Sequence, residues 1–305
     1  MRHLISSFDL SGDEIHRVFT LASELKRQLD AGWREPLLRG HVLALIFEKQ
    51  SLRTRCSFEA AMAHLGGSTM FLGKDVGLGQ RESMSDFSRV LSQYADIVAC
   101  RAMNHQTVVD LAKDATCPII NALTDLSHPC QALADLFTLQ ELLGEVKGKV
   151  LAYVGDSNNV CRSLAVACAK VGVTLNVASP AGYEMDDALI ARIGQAVPSA
   201  KIHRTQDPKE AVRGAAAVYT DVWTSMGQEA EAAAREKAFA SYQVNGALMK
   251  VAGPQAYFMH CLPAKRGEEV TDEVMDSPQS IVIPQAGNRM HLQKGILAWL
   301  LREAE

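Results

Sequence analysis

Ser51, Arg53, Thr54 and Arg55 crowd into five residues, directly after the apolar run Val42–Phe47 and at the start of a helical pattern. A hydroxyl pair, a guanidinium fork and the free backbone N–H groups of a helix start suit a phosphate group. The same stretch, FEKQSLRTRCSFEAA, is also how a capped helix with solvated arginines reads, because charge near helix ends is common. Whether it does chemistry depends on what the other strand ends present.

Arg101 directly follows a second strand-like run at 97–100. A third, PIIN at 118–121, leads into SHPCQALADL, where Ser127 is placed to cap a helix and Pro129 suits its first turn. His128 and Gln131 are three apart, so imidazole and carboxamide share one helical face. Each segment alone reads as a cap. Together, two arginines, a histidine and a glutamine at three strand ends fit an anionic, carbonyl-bearing ligand.

A second set lies further along. LAYVGDSNNVCRS is strand, turn and helix, with Asn158 and Asn159 at the turn available to a small polar ligand. It has one glycine where a dinucleotide fingerprint needs G-x-G-x-x-G, which counts against a nicotinamide cofactor. VYTDVWTSMGQE puts Asp221 just past a strand and Ser225, Met226 and Gly227 in a loop able to close over a ligand, although loops often carry such residues. In YFMHCLPAKRG, Cys261 stands at a strand end, ahead of Leu262-Pro263. A lone cysteine is usually a small buried hydrophobe, but a strand end is where a sheet delivers site residues. Arg289 opens the last helix, after a strand at 280–283. No Ser/His/Asp order or carboxylate pair marks a hydrolase.

Positioning these groups falls to alternating strand-like and helical runs, the pattern of doubly wound α/β sheets. Ser11 and Glu14 form a capping box for a first helix reaching about Asp30. Strands are expected at 42–47, 69–72, 97–100 and 118–121, then at 149–154, 174–178, 201–204, 217–220, 257–260 and 280–283. A long helix from Pro129 to Gly144 connects the two sets, and the charged GEVKGK, 144–149, marks the boundary. The expected domains are 1–143, with a terminal helix 288–305 packing back on it, and 144–287. Two domains suit 305 residues.

Composition narrows the classes. With 48 % hydrophobic and 22 % charged residues the chain can bury real cores, and a net charge of −4 argues against nucleic-acid binding. No signal-peptide pattern and no run of ~18 apolar residues is present, so a cytoplasmic protein without membrane association is expected. The seven cysteines are odd in number with no C-x-x-C pair, and the nine histidines show no H-E-x-x-H. Neither disulfides nor a metal are expected.

In order and spacing, SLRTR (51–55), HPCQ (128–131), DVWTSMG (221–227), HCLP (260–263) and NRMH (288–291) resemble the motifs of the ornithine carbamoyltransferases, over most of the chain. SLRTR and HPCQ mark the wider carbamoyltransferase family; HCLP and SMG select ornithine over aspartate. The resemblance implies two domains, carbamoyl phosphate on the first and L-ornithine largely on the second, with no organic cofactor and a homotrimer or a multiple of it. It assigns the phosphate to Ser51, Leu52, Arg53, Thr54 and Arg101. The carbamoyl oxygen falls to Arg101, His128 and Thr54, the carbamoyl amide to Gln131, with Arg289 completing that end. The amino-acid end of ornithine falls to Asn159, Asp221, Ser225 and Met226, while Cys261 and the Leu262 carbonyl surround the attacking amine near Asp221. Most of the family reads S-T-R-T-R; Leu52 is shared with relatives that use N-acylated ornithine, which keeps such an acceptor as the alternative. A loop from the neighbouring chain completes family sites, and at the matching segment, 74–83, this chain has Gly77, with Gln80 nearby. Arg55 is expected to serve structure through an ion pair. Two further classes stay open at this point: a dehydrogenase suggested by the βαβ pattern, and a non-catalytic anion-binding regulator.

Overall fold

A computed structural model describes residues 1–225 and 228–302. In chain order the first elements are α1 (Gly12–Asp30), β1 (Val42–Phe47), α2 (Leu52–His64), β2 (Ser68–Leu72), α3 (Met84–Leu91), β3 (Ile97–Arg101), α4 (His105–Lys113), β4 (Ile119–Leu123) and α5 (Pro129–Leu143). There follow β5 (Val150–Val154), α6 (Asn159–Val171), β6 (Thr174–Ala178), α7 (Asp187–Ala196), β7 (Ile202–Thr205), α8 (Pro208–Val212), β8 (Ala217–Thr220), α9 (Ala232–Phe239), α10 (Gly246–Ala252), β9 (Tyr257–His260), α11 (Asp272–Met275) and α12 (Val282–Arg302). The chain divides into two compact units, residues 1–137 with 287–305, and residues 138–286. Helices α5 and α12 carry the chain from one to the other. No helix among the described residues is long and apolar enough to cross a membrane.

The first unit holds a parallel sheet in the order β2-β1-β3-β4. Strand β1, VLALIF, is an unbroken apolar run because helices cover both faces of a parallel sheet, and all but its first residue are buried. Chain order reverses between β1 and β3, and such a switch point leaves a crevice beyond the carboxyl ends of the strands. Register levels those ends: Phe47 pairs with Arg101, and Arg101 with Leu123.

Ser11 and Glu14 cap α1 reciprocally, as the capping box predicts. The C-terminal half of α12 docks on α1. At Gly295 a Cβ would lie 2.7 Å from the Val18 carbonyl oxygen, so only glycine allows this approach. Lys294 Nζ donates to the Leu25 carbonyl at 3.0 Å, and Lys26 Nζ to Asn288 Oδ1 at 2.8 Å.

The second unit holds a parallel sheet in the order β7-β6-β5-β8-β9, again reversing direction beside its first strand. Val154 pairs with Ala178, and Thr220 with His260, which levels these ends too. Gly155, at φ +143°, turns the chain out of β5 toward α6.

One expected strand is corrected. Residues 280–283 make only a bridge from Ser280 to Phe258, and α12 begins at Val282. The β-branched run IVI reads as a strand, but Pro284 falls in the first turn of α12, where its missing N–H has no helical partner to lose. Arg289 therefore lies in the third turn of a long helix rather than opening it.

Candidate active site

In the first unit, Ser51 is the N-cap of α2 and accepts from the Thr54 N–H at 3.4 Å, while its hydroxyl donates to Thr54 Oγ1 at 3.1 Å. Arg289 Nη2 reaches Thr54 Oγ1 at 2.8 Å, and Arg289 Nη1 donates to Gln131 Oε1. Gln131 Nε2 in turn donates to Asp135 Oδ1 at 2.8 Å. Thr54, Arg101, His128, Gln131, Asp135 and Arg289 are all buried. The sheet register and this network bring together what the sequence spread over nearly 240 positions.

Electrostatics sharpen the picture. Arg101 is pulled down to about 10 by burial, then by the charges of Arg289 and Arg53. It stays charged at neutral pH, and its Nε has no hydrogen-bond partner. His128 lies well below the ordinary histidine value, first through burial, then through Arg289 and Arg101. Its imidazole is therefore neutral at pH 7 and able to donate one hydrogen bond. A buried guanidinium whose charge is disfavoured by burial and by two neighbouring cations gains free energy when an anion arrives.

Two predicted residues stand apart from that centre. Leu52 is the first residue of α2 with its side chain 77 % exposed, so it offers the site backbone and not side chain. Arg55 pairs with Glu59 at 2.9 Å and lies 3.8 Å from the Phe71 ring centre, the structural role expected of it. Gly77 ends a short 3-10 turn in the left-handed conformation, and its carbonyl accepts from the Gln80 N–H at 2.9 Å.

In the second unit, Asp221 is the hub. Asn158 Nδ2 donates to Asp221 Oδ2 at 2.8 Å, and the Cys261 thiol lies 3.0 Å from Asp221 Oδ1. Asn158 is also the N-cap of α6, accepting from Val160 and Cys161 and from the Tyr153 hydroxyl at 3.2 Å. Asn159 begins α6 with its side chain half-buried. The two asparagines thus separate: Asn158 is committed to the cap and to Asp221, a division the Asn-Asn pair alone does not reveal. Ser225 exchanges bonds with Gln228, while Met226 and Gly227 lie outside the described residues. Arg235 braces the base of this loop, donating to Asp156 at 2.7 Å and to the Trp223 carbonyl at 3.1 Å.

Ligand atoms of Asp221, His260 and Cys261 fall within 4.8 Å of one another, a grouping able in principle to hold a metal ion. Both ring nitrogens of His260 already have protein partners, Leu262 N–H and Glu269, so this trio fits a hydrogen-bonded corner better than a metal centre. Sequence reasoning missed Asp135, His260 and Glu269; HCLP itself was the signal for His260, and the sequence does not set the two acids apart from solvated ones.

Residues 2–141 match the family described as "Aspartate/ornithine carbamoyltransferase, carbamoyl-P binding domain", and residues 147–300 its "Asp/Orn binding domain". The chain is 49 % identical over 307 residues to the ornithine carbamoyltransferase of Bacillus subtilis strain 168, covering 100 % of this chain and 95 % of the relative. It is 49 % identical to the anabolic ornithine carbamoyltransferase of Pyrococcus furiosus, covering 98 % and 96 %. Among solved structures, the ornithine carbamoyltransferase from Pyrococcus furiosus superposes with a TM-score of 0.96 at 48 % identity, covering 100 % of this chain and 98 % of the other. By sequence and by fold, the chain belongs to the aspartate/ornithine carbamoyltransferase family.

Proposed function

We propose that the chain transfers the carbamoyl group of carbamoyl phosphate to the δ-amine of L-ornithine, giving L-citrulline and phosphate in arginine biosynthesis. The observation that carries this reading is the group of charged arginines, Arg53, Arg101 and Arg289, with Arg101 buried beside neutral His128 at one sheet edge. The names of the relatives, all ornithine carbamoyltransferases, support ornithine as the acceptor.

On this reading the unit containing residues 1–137 holds carbamoyl phosphate. Ser51, Arg53, Thr54, Arg101 and the Leu52 N–H take the phosphate. Arg101, His128 and Thr54 donate to the carbamoyl oxygen, where negative charge develops; each such donor is typically worth ~2.7–4 kcal/mol in the transition state. Gln131 Nε2 is held by Asp135, which fixes the amide so that Oε1, shared with Arg289, can also accept from the carbamoyl N–H. Asn159, Asp221, Ser225 and Met226 take the amino-acid end of ornithine. Cys261 and the Leu262 carbonyl flank the amine.

The neutral δ-amine attacks the carbamoyl carbon and the new C–N bond gives a tetrahedral oxyanion; the bond from that carbon to the bridging oxygen then breaks, and phosphate leaves with the electron pair and takes the proton the amine gives up. A free amine of this kind has a pKa near ~10.4, so the site must favour its deprotonated form. The positive charges of the arginines that take the phosphate act in that direction. Citrulline and phosphate should appear one for one, and only with an amine present; phosphate release without a carbamoylated product would contradict the reading.

We also propose a trimer in the cytoplasm. Support for the first is β2, an edge strand left largely open on both faces; for the second, seven free cysteines, as a reducing compartment allows. A fully active monomer in sedimentation analysis would remove the trimer.

A further inference from the structure

Arg101 ends β3 with a buried side chain, and no protein group among the described residues accepts a hydrogen bond from its guanidinium. Its aim is therefore set by its backbone. That backbone lies at a slip in the sheet: Cys100 pairs with Asn121 but Arg101 with Leu123, so one residue of β4 is skipped. Irregularities of this kind re-aim a side chain and interrupt the ladder, so the chain beyond Arg101 has to be held by other groups.

Glu48, the residue after β1, holds it twice. Its N–H donates to the Arg101 carbonyl at 3.0 Å, which carries the β1–β3 ladder one step past the strand. Its side chain reaches further, and Glu48 Oε2 accepts from the Met103 N–H at 2.6 Å. From the β4 side, the Leu123 carbonyl accepts from the Ala102 N–H at 3.1 Å, and Asp125 Oδ1 accepts from the His105 N–H at 2.8 Å. Residues 101–105 are thus fastened to both neighbouring strand ends.

Electrostatics give no reason for an acid here. Glu48 is half-buried, three residues ahead of Ser51, and after burial it is the charge of Glu48 that pushes the Cys100 thiol up. A carboxylate beside a group of arginines that takes an anion works against the ligand. Nor does Glu48 pair with Arg101: its carboxylate is bonded to a main-chain N–H.

We propose that Glu48 is a positioning residue for carbamoyl phosphate: its carboxylate clamps the backbone just beyond Arg101 and so fixes where the guanidinium points. This rests on the reading of Arg101 given above. The clamp needs an acceptor of the right reach and not a negative charge.

Three variants separate the two. Glu48→Leu removes the acceptor, Glu48→Gln keeps one at the same reach without the charge, and Glu48→Asp keeps the charge on a side chain one methylene shorter. In the full-length protein, carbamoyl phosphate affinity is measured by isothermal titration, the KM for ornithine at saturating carbamoyl phosphate, and amide hydrogen exchange at Met103. Glu48→Leu should weaken carbamoyl phosphate binding by about tenfold, leave the KM for ornithine near the wild-type value, and speed exchange at Met103. Glu48→Gln should bind carbamoyl phosphate at least as tightly as the wild type, with exchange unchanged, and Glu48→Asp should resemble the leucine variant. Wild-type affinity in Glu48→Leu, a glutamine variant as weak as the leucine one, or equal losses for both substrates would overturn the proposal. Should the leucine variant not fold, an aspartate variant that binds as tightly as the glutamine one would do the same. Wild-type protein that binds no carbamoyl phosphate refutes the functional reading instead, while unchanged exchange at Met103 in Glu48→Asp would still overturn the clamp.

Discussion

After burial, the charges of Arg289 and Arg53 disfavour that of Arg101 until an anion arrives, and this sets the first expectation at the scale of single residues. Charged hydrogen bonds are worth about 1.5–3 kcal/mol, so Arg53→Ala should weaken carbamoyl phosphate binding roughly tenfold to a hundredfold. Isothermal titration checks this, and an unchanged affinity would remove Arg53 from the phosphate cradle. Individual site residues were legible where a polar group stood at a strand end: Arg101, His128 and Asp221 were all visible that way. Asp135 was not, because an acid inside the helical pattern of α5 looks the same whether it faces solvent or holds Gln131. Asn158 and Asn159 could not be told apart, since a cap is chosen by backbone geometry that adjacent identical residues share until the turn forms.

At the scale of elements, α12 is held to the first unit by close approach as much as by side-chain burial. In an exposed helix, Gly→Ala would stabilise by about 1 kcal/mol. At Gly295 the new Cβ would meet a backbone carbonyl of α1 at 2.7 Å and Ala22 Cβ at 3.1 Å. Neither can swing away, and overpacking of this kind typically costs 1–3 kcal/mol, so about the larger effect should win. Gly295→Ala is expected to lower the denaturant midpoint; a rise would show that α12 does not pack this tightly on α1. Alternation of apolar runs made nine of the ten expected strands readable. The tenth, 280–283, failed because three β-branched residues carry the same signal at the start of a buried helix as in a strand, and the proline that decides between them comes after.

At the scale of the whole molecule, buried histidines tie stability to pH. His128 and His291 both titrate below the ordinary value of 6.5 in the folded chain, His291 at about 4, burial being the first cause for each. Between those limits the unfolded chain binds more protons than the folded one, so their contribution is intact above pH 6.5 and is lost as pH falls toward 4. Denaturant midpoints should therefore drop from pH 7 to pH 5, and drop less in His128→Gln; an equal drop in both would take His128 out of this account. Each of the two units carries a parallel sheet with polar groups at its strand ends, and the most direct test of the proposed activity is acceptor choice. Citrulline or its analogues should be assayed with carbamoyl phosphate and L-ornithine, N-acetylornithine or aspartate offered separately. The account predicts the highest kcat/KM for unmodified ornithine; a preference for N-acetylornithine, as Leu52 in place of threonine would allow, or for aspartate would contradict it.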